Sequence, residues 1–378
     1  MSKLGIGVIG CGNISTTYLT LVPLFKGIEV RAVADINPAA AKEKADEFNV
    51  RAQSVDEILS ADDIDIVVNL TIPSAHFSTT RKILQAGKHA YSEKPLVLSL
   101  EEGQELSALA DKNGLRVGSA PDTFLGGAHQ QARALIDKGA LGDIVSGTAH
   151  FMSHGMEHWH PNPDFFFLPG AGPMLDIGPY YVTNLIQLIG PVKRVAALTS
   201  AASACRMITS EPRGGETIPV KTPTNIHALL EFEQGATVTL STSWDVWAHR
   251  HENMELYGTN GSIYIPDPNF FGGDVELIEK DGTVLEKPFY EHPFSVPNMD
   301  QSDGKIANYR TAGLADMAQA IAQNRAIRCS MEMAVHAVDV MTSVLKSGEQ
   351  KEFVTVNTTC ERPAALSPHD AASLLAQG

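Results

Sequence analysis

Between residue 4 and about residue 121, short apolar runs alternate with amphipathic stretches. The runs LGIGVIG, EVRAVAD, IDIVVNLT, HAYSE and LRVGSA are separated by segments such as PAAAKEKADEF and SAHFSTTRKILQAG. Strand-length and helix-length segments taking turns in this way predict parallel strands joined by helices. IDIVVNL is apolar almost throughout and fits a strand covered on both faces. After PDTF the pattern changes: one helical stretch, HQQARALIDKG, gives way to two-residue alternation in NIHALLEFEQGATVTLSTSW and NMELYGTNGSIYI, each broken by a glycine-containing turn. These segments predict antiparallel pairs. Two helical segments, around 311–324 and 330–347, precede the tail KEFVTVNTTCERPAALS. The expectation is an α/β chain, with a doubly wound parallel sheet over residues 1–123 and an α+β domain of mostly antiparallel strands over residues 124–378.

Composition narrows the partners. The 378 residues are 43% apolar, enough for two cores. Twenty-nine basic against 44 acidic residues give a net charge of -15, which repels phosphate backbones and argues against nucleic acid. No window approaches about 18 apolar residues, and MSKLGIGVIG lacks the features of a signal peptide, so no membrane partner and a cytoplasmic location are expected. Cys11, Cys205, Cys329 and Cys360 are far apart without C-x-x-C spacing. Neither a disulfide framework nor a cysteine zinc site follows.

Candidate chemistry begins in GVIGCGNIS. Gly10 and Gly12 follow a predicted strand, with a helix expected from about Asn13 and Ile14. Glycines there let the backbone bend and approach a pyrophosphate, and the helix N-terminus offers free N–H groups. Ser15 takes the third position of G-x-G-x-x-G, small enough for close packing. Asp35 ends the second strand, where an acid accepts hydrogen bonds from an adenosine ribose and repels a 2′-phosphate. Ile36 and Asn37 supply no offsetting cation, so NAD is expected in preference to NADP. The alternative is an ordinary strand-to-helix turn beside a surface aspartate. Further on, YSEKPLVLS places Glu93, Lys94 and Pro95 at the carboxyl end of a strand, where doubly wound sheets bind ligands. An X-Pro bond there can be cis and aim Lys94 into the crevice. Alone, E-K-P also suits a charged surface turn.

Together with GAGPMLDIGPYY (170–181), these motifs resemble the Gfo/Idh/MocA family of oxidoreductases, in order and in spacing, over essentially the whole chain. The resemblance implies an NAD(P)-binding Rossmann domain and a substrate domain whose open sheet binds substrate on one face. Through the other face such proteins often self-associate, here as a homodimer or homotetramer. It makes Lys94 a catalytic-site lysine near the nicotinamide, places Glu93 with the cofactor, and lines the cofactor with Thr71, Pro73 and His76 of LTIPSAH. A surface position at a helix start is the other reading of His76.

Many members of the family read D-x-G-x-H where this chain reads Asp176-Ile177-Gly178-Pro179-Tyr180. A tyrosine at that position resembles the glucose-fructose oxidoreductase, aldose and dihydrodiol dehydrogenase branch. Hydride loss from a carbinol carbon requires loss of the O–H proton, so a base within about 3 Å of that oxygen is needed. A phenol, ordinarily a poor base near neutrality, becomes a better one beside an ammonium such as Lys94. Asp176, four positions before Tyr180, shares a helical face with it, and Pro179 suits a first turn. The plainer reading makes Asp176 a helix cap and the two tyrosines core. Tyr181, on the side of Ile177 and Leu185, reads as core, and Thr183 is a weaker substrate candidate.

Ahead of that helix, SHGMEHWHPNPDFFFLPG holds His154, Glu157, His158, Trp159, His160 and Asp164. Aromatic faces and hydroxyl-binding groups suit a sugar. H-x3-H-x-H is also a workable zinc spacing, though the family chemistry needs no metal, and a polar surface lid is the third reading. Asp122 in PDTF joins the substrate candidates, and Trp244, Asp245, Trp247, His249 and Arg250 border a strand end. The expected activity is NAD-dependent oxidation or reduction at a carbinol carbon of a sugar, glycoside, inositol or related polyol. A redox-neutral glycoside hydrolase or lyase working through a transient keto-sugar, and a non-catalytic sensor, are the alternatives.

Overall fold

A computed structural model describes residues 3–286, 290–301 and 304–376. The chain forms two compact units, one of residues 1–130, 291–338 and 363–378, the other of residues 131–290 and 339–362. A single cut after residue 123 therefore marks the end of the parallel sheet, while later segments are shared between both units.

The first unit opens with β1 (Leu4–Ile9), α1 (Asn13–Leu21), β2 (Ile28–Ala34), α2 (Pro38–Phe48), β3 (Arg51–Ala52), α3 (Val55–Ser60), β4 (Ile66–Asn69), α4 (Pro73–Gln85), β5 (His89–Ser92), α5 (Leu100–Asn113) and β6 (Val117–Ser119). Its six strands are parallel, in the order β3-β2-β1-β4-β5-β6. The order reverses between β1 and β4, and the crevice at such a switch point is where doubly wound sheets hold ligands. All four residues of β4 are buried, as the unbroken apolarity of IDIVVNL requires.

The division between units falls within α6 (Gly127–Asp137). The second unit then runs through β7 (Ile144–Met152), α7 (Pro173–Asp176), α8 (Gly178–Ile189), β8 (Val192–Ser200), β9 (Cys205–Met207), β10 (Thr217–Pro219), β11 (Asn225–Phe232), β12 (Thr237–Ser243), β13 (Met254–Gly258), β14 (Gly261–Ile265), β15 (Glu276–Glu279) and β16 (Val284–Glu286). The remaining elements are β17 (Met299–Gln301), β18 (Gly304–Ile306), α9 (Ala312–Gln323), α10 (Met331–Gln350), β19 (Val354–Thr355) and α11 (Pro368–Leu374). Nine strands form one open sheet, β16-β15-β14-β13-β7-β12-β11-β8-β19, antiparallel except where β12 runs parallel to β7. The expected hairpins β11–β12 and β13–β14 are both antiparallel. In β11 the two-residue alternation is literal: Ile226, Ala228, Leu230 and Phe232 are buried, and His227 and Leu229 face out. No helix among the described residues is long and apolar enough to cross a membrane.

Candidate functional site

The glycine turn between β1 and α1 is built for close approach. Gly10 has φ +106°, and a Cβ there would meet the Leu70 backbone at 2.6 Å. A Cβ on Gly12 would meet nothing within 4 Å, so open space lies over the start of α1, which has no side-chain cap. That is the arrangement a pyrophosphate uses, with uncapped N–H groups and the positive end of the helix dipole turned toward it. Asn13 is exposed, Ile14 half-buried and Ser15 fully buried, its hydroxyl donating to the Gly12 carbonyl at 2.6 Å. Asp35 accepts from the Cys11 N–H at 2.7 Å and the Asn37 N–H at 2.8 Å, so this acid braces the turn. Burial, with the Asp35 charge adding to it, pushes the Cys11 thiol up to about 11. Lys44, a nearby cation that the local sequence does not betray, is ion-paired with Glu47 at 2.6 Å. These residues fit a dinucleotide.

The loops after β4 and β5 share this carboxyl edge. Asn69, buried at the end of β4, accepts from the Thr71 N–H and hydroxyl and donates to the His76 carbonyl, so it shapes the whole Thr71–Pro73 corner. Sequence reasoning passed over it, although an amide ending an apolar strand is the cue. At 1% exposure His76 is not the surface residue of the second reading. Its ring lies between two carbonyls, Nδ1 at 2.6 Å from Pro95 and Nε2 at 2.9 Å from Thr71. Burial holds its pKa below the usual histidine value even though both carbonyls pull the other way. The Lys94–Pro95 bond is cis. Glu93 accepts the Lys94 N–H at 3.0 Å through Oε2 and the Tyr18 hydroxyl at 2.8 Å through Oε1.

Asp122, expected among the substrate residues, lies against the start of α9. It is 2% exposed, and its Oδ2 accepts the N–H groups of Thr311 and Gly313, both at 2.9 Å, at the start of α9. A carboxylate there works as a helix cap. Burial raises its pKa to about 6.

In the second unit, the expected single helix is split. α7 ends at Asp176, Ile177 intervenes with φ -104°, and α8 begins at Gly178 with Pro179 in its first turn. Ile177 occupies the N-cap position of α8, one residue after Asp176. Every residue of α8 is buried except Tyr180. Asp176 is half-buried like Tyr180. Tyr181 is core as expected: 0% exposed, its hydroxyl donates to Asp267 at 3.3 Å and accepts from Asn253 at 3.1 Å. Thr183 is buried too, which places it away from solvent.

The loop after β7 is organised by arginines that the sequence did not single out. Arg206 of β9 pairs with Glu157 at 2.9 Å and with Asp245, and donates to the Trp244 carbonyl at 2.9 Å. Asp245 also accepts from Thr224 at 2.7 Å. Arg213 pairs with Asp164 and, at 2.8 Å, with Glu216. Met156, Phe167, Ile208, Ile218 and Trp244 form an apolar cluster around this network, so Trp244 is core rather than pocket rim. The histidines diverge: His154 stacks on Trp247 with ring centroids 3.3 Å apart, His158 is exposed, and His160 lies edge-on to Trp159, Phe165 and Phe166. No three His, Cys, Asp or Glu side chains among the described residues are grouped to hold a metal. Trp159, Trp247, His249 and Arg250 remain exposed. No disulfide joins Cys11, Cys205, Cys329 or Cys360.

A glycine-turn Rossmann unit with a lysine at its carboxyl edge, followed by an open-sheet unit, has the architecture of a dinucleotide-binding protein. Comparison makes this specific: residues 4–120 match the oxidoreductase family with an NAD-binding Rossmann fold, and residues 129–264 match the GFO/IDH/MocA C-terminal domain. The chain belongs to the Gfo/Idh/MocA family and carries its NAD-binding domain. It is 27% identical over 257 residues to D-xylose dehydrogenase of Paenarthrobacter nicotinovorans (65% of this chain, 64% of that protein). It is 28% identical over 180 residues to an oxidoreductase of Schizosaccharomyces pombe (44% and 48%). The chain thus spans about half to two thirds of the length of these curated relatives. A solved structure of levoglucosan dehydrogenase shares its fold, with a TM-score of 0.81 at 20% identity over 95% of this chain and 100% of that one.

Proposed function

We propose that this oxidoreductase transfers a hydride between NAD and a carbinol carbon of a sugar or related polyol. Asp35 and the adjacent exposed Ile36 and Asn37 support NAD over NADP, because neither neighbour supplies a cation to offset the repulsion of a 2′-phosphate and the nearby Lys44 is already paired with Glu47. The observation that carries the catalytic reading is that Tyr180 alone escapes burial on an otherwise buried helix, one turn beyond the half-buried Asp176. Packing explains the rest of α8 and leaves that phenol to be explained. Bound NAD supplies the hydride acceptor or donor. Tyr180 moves the substrate hydroxyl proton and Asp176 orients the polar groups beside it, while Lys94 is the site lysine of the dinucleotide-binding unit. The exposed Trp159 and Trp247, with the histidines beside them, offer faces for the C–H side of a sugar. Two relatives act on sugars by name, D-xylose dehydrogenase and levoglucosan dehydrogenase, and the reading extends that substrate class to this chain. Self-association through the open sheet belongs to the same proposal.

Purified protein incubated with NAD and a panel of sugars, glycosides and inositols should produce NADH absorbance with at least one of them. Tyr180→Phe and Lys94→Ala should each lower kcat by about 100-fold or more while NADH still binds. Bound, exchangeable cofactor with no turnover on any polyol would refute the dehydrogenase. Aglycone release without net NADH would replace it with the redox-neutral hydrolase or lyase.

A further inference from the structure

The peptide carrying Lys94 is held on both sides. On its amino side the Lys94 N–H donates to Glu93 Oε2 at 3.0 Å, and the Glu93 N–H donates to the Asn69 carbonyl at 2.9 Å. On its carboxyl side the Pro95 carbonyl lies 2.6 Å from His76 Nδ1. The Glu93 carboxylate is therefore a bracket, and its orientation depends on what holds its other oxygen. That group is the Tyr18 hydroxyl, donating to Oε1 at 2.8 Å. Tyr18 is buried on α1, five residues after Asn13, so about 7.5 Å of helix separates its Cα from the glycine-turn end. Burial holds the phenol far above its usual range, with the Glu93 charge adding to the effect, so it stays a neutral donor at working pH.

We propose that Tyr18 is a positioning residue for Lys94: its hydroxyl, acting through Glu93, ties the helix that opens at the dinucleotide's glycine turn to the peptide that presents the lysine. The inference rests on the reading of Lys94 as a site lysine. Tyr18 touches no reacting atom, and its ring would pack equally well without the hydroxyl. What the hydroxyl adds is a charge-assisted bond that fixes one rotamer of Glu93, and with it the exit direction of the Lys94 side chain. Because α1 also begins the phosphate cradle, a displacement of that helix reaches Lys94 through two hydrogen bonds.

Tyr18→Phe, Glu93→Gln and the double variant separate this from simple packing. Three readouts apply to each: NADH affinity by fluorescence, kcat and KM on the polyol identified by the panel, and the rate of Lys94 dimethylation by formaldehyde and cyanoborohydride, followed by peptide mass spectrometry. For Tyr18→Phe, NADH affinity should stay within about twofold while kcat falls about tenfold at unchanged KM, the signature of lost orientation. Lys94 labelling should change by about threefold or more relative to the other lysines, and adding Tyr18→Phe to Glu93→Gln should cost less than about twofold further. Unchanged kcat and unchanged Lys94 labelling in Tyr18→Phe would overturn the inference. So would an equal loss in both backgrounds accompanied by a fall in melting temperature. Labelling needs no turnover, so a Lys94 shift in a protein inactive on every polyol would retain the tie while refuting the dehydrogenase.

Discussion

His292 uses both ring nitrogens without carrying charge: Nε2–H donates to the Leu366 carbonyl and Nδ1 accepts from the Phe294 N–H, each at 3.1 Å. Burial pushes its pKa down to about 4. The unfolded chain takes up this proton near pH 6.5 and the folded chain only near 4, so acid favours unfolding across that window. Stability from this group is fully present above about pH 6.5 and falls by about 3 kcal/mol as pH drops to 4. Asp122 works in the opposite sense, because a carboxyl raised to about 6 loses its contribution as pH rises through that value. The readout is therefore a difference: the gap in melting temperature between wild type and His292→Gln should shrink steadily from pH 7 to pH 4.5. A gap that does not vary with pH would show that the ring titrates normally. Residues of this kind were not legible in the sequence. His76, His292 and Asp122 owe their states to burial and to partners up to 191 positions away, and neither is written in local pattern. Tyr181 was legible as core from its place on the side of Ile177 and Leu185, whereas the half-burial of Tyr180 on a helix otherwise buried all round was not written in the periodicity.

At the scale of elements, periodicity carried the fold where elements are long, and failed where they are short or tied by distant charge. PAAAKEKADEF became α2 without a shift, the Asn37 side chain capping it and Pro38 opening it. α3 was missed although Ser54 and Glu57 form a capping box, a signal present in the letters SVDE. The loop of His154–His160 was read as a polar cluster, yet its geometry comes from Arg206, which lies 49 positions beyond Glu157 and 39 before Asp245. All three side chains are nearly buried. Removing the guanidinium alone strands two buried carboxylates, so Arg206→Met should cost about 3–5 kcal/mol. Adding Glu157→Gln and Asp245→Asn should recover part of that loss, since no unpaired charge remains. The chain's three tryptophans, Trp159, Trp244 and Trp247, all lie on segments flanking this network, so their emission reports on it directly. Arg206→Met should red-shift that emission as Trp244 meets water. Unchanged emission with unchanged stability would mean the loop stands on its apolar cluster alone.

For the molecule as a whole, the open question of assembly sits on the outward face of the nine-stranded sheet. Register places Leu198, His227, Ser241 and His150 in one row across β8, β11, β12 and β7, with Ala196, Leu229, Thr239 and Thr148 in the row two residues along. Water-facing strand positions normally carry polar side chains, yet Leu198 is 70% exposed, Leu229 47% and, nearby, Phe353 67%. These side chains and Ala196 line a depression of about 330 Å³. Ser241 and His150 at the far end of the first row are buried, so the exposed apolar part of the face is centred on β8 and β11. The cue was present in NIHALLEF, where Leu229 puts a large apolar group on the polar side of a clean alternation. Isolated exposed leucines need no explanation, but several on adjacent strands around one depression do. A second copy laid over this face would bury them, as the family resemblance implies. Light scattering should therefore give a dimer or tetramer for the wild type, and Leu198→Glu with Leu229→Glu should shift it to monomer with NADH affinity unchanged, because the dinucleotide turn lies in the other unit. A monomeric wild type, or a double variant that still assembles, would show that this face is not where copies meet.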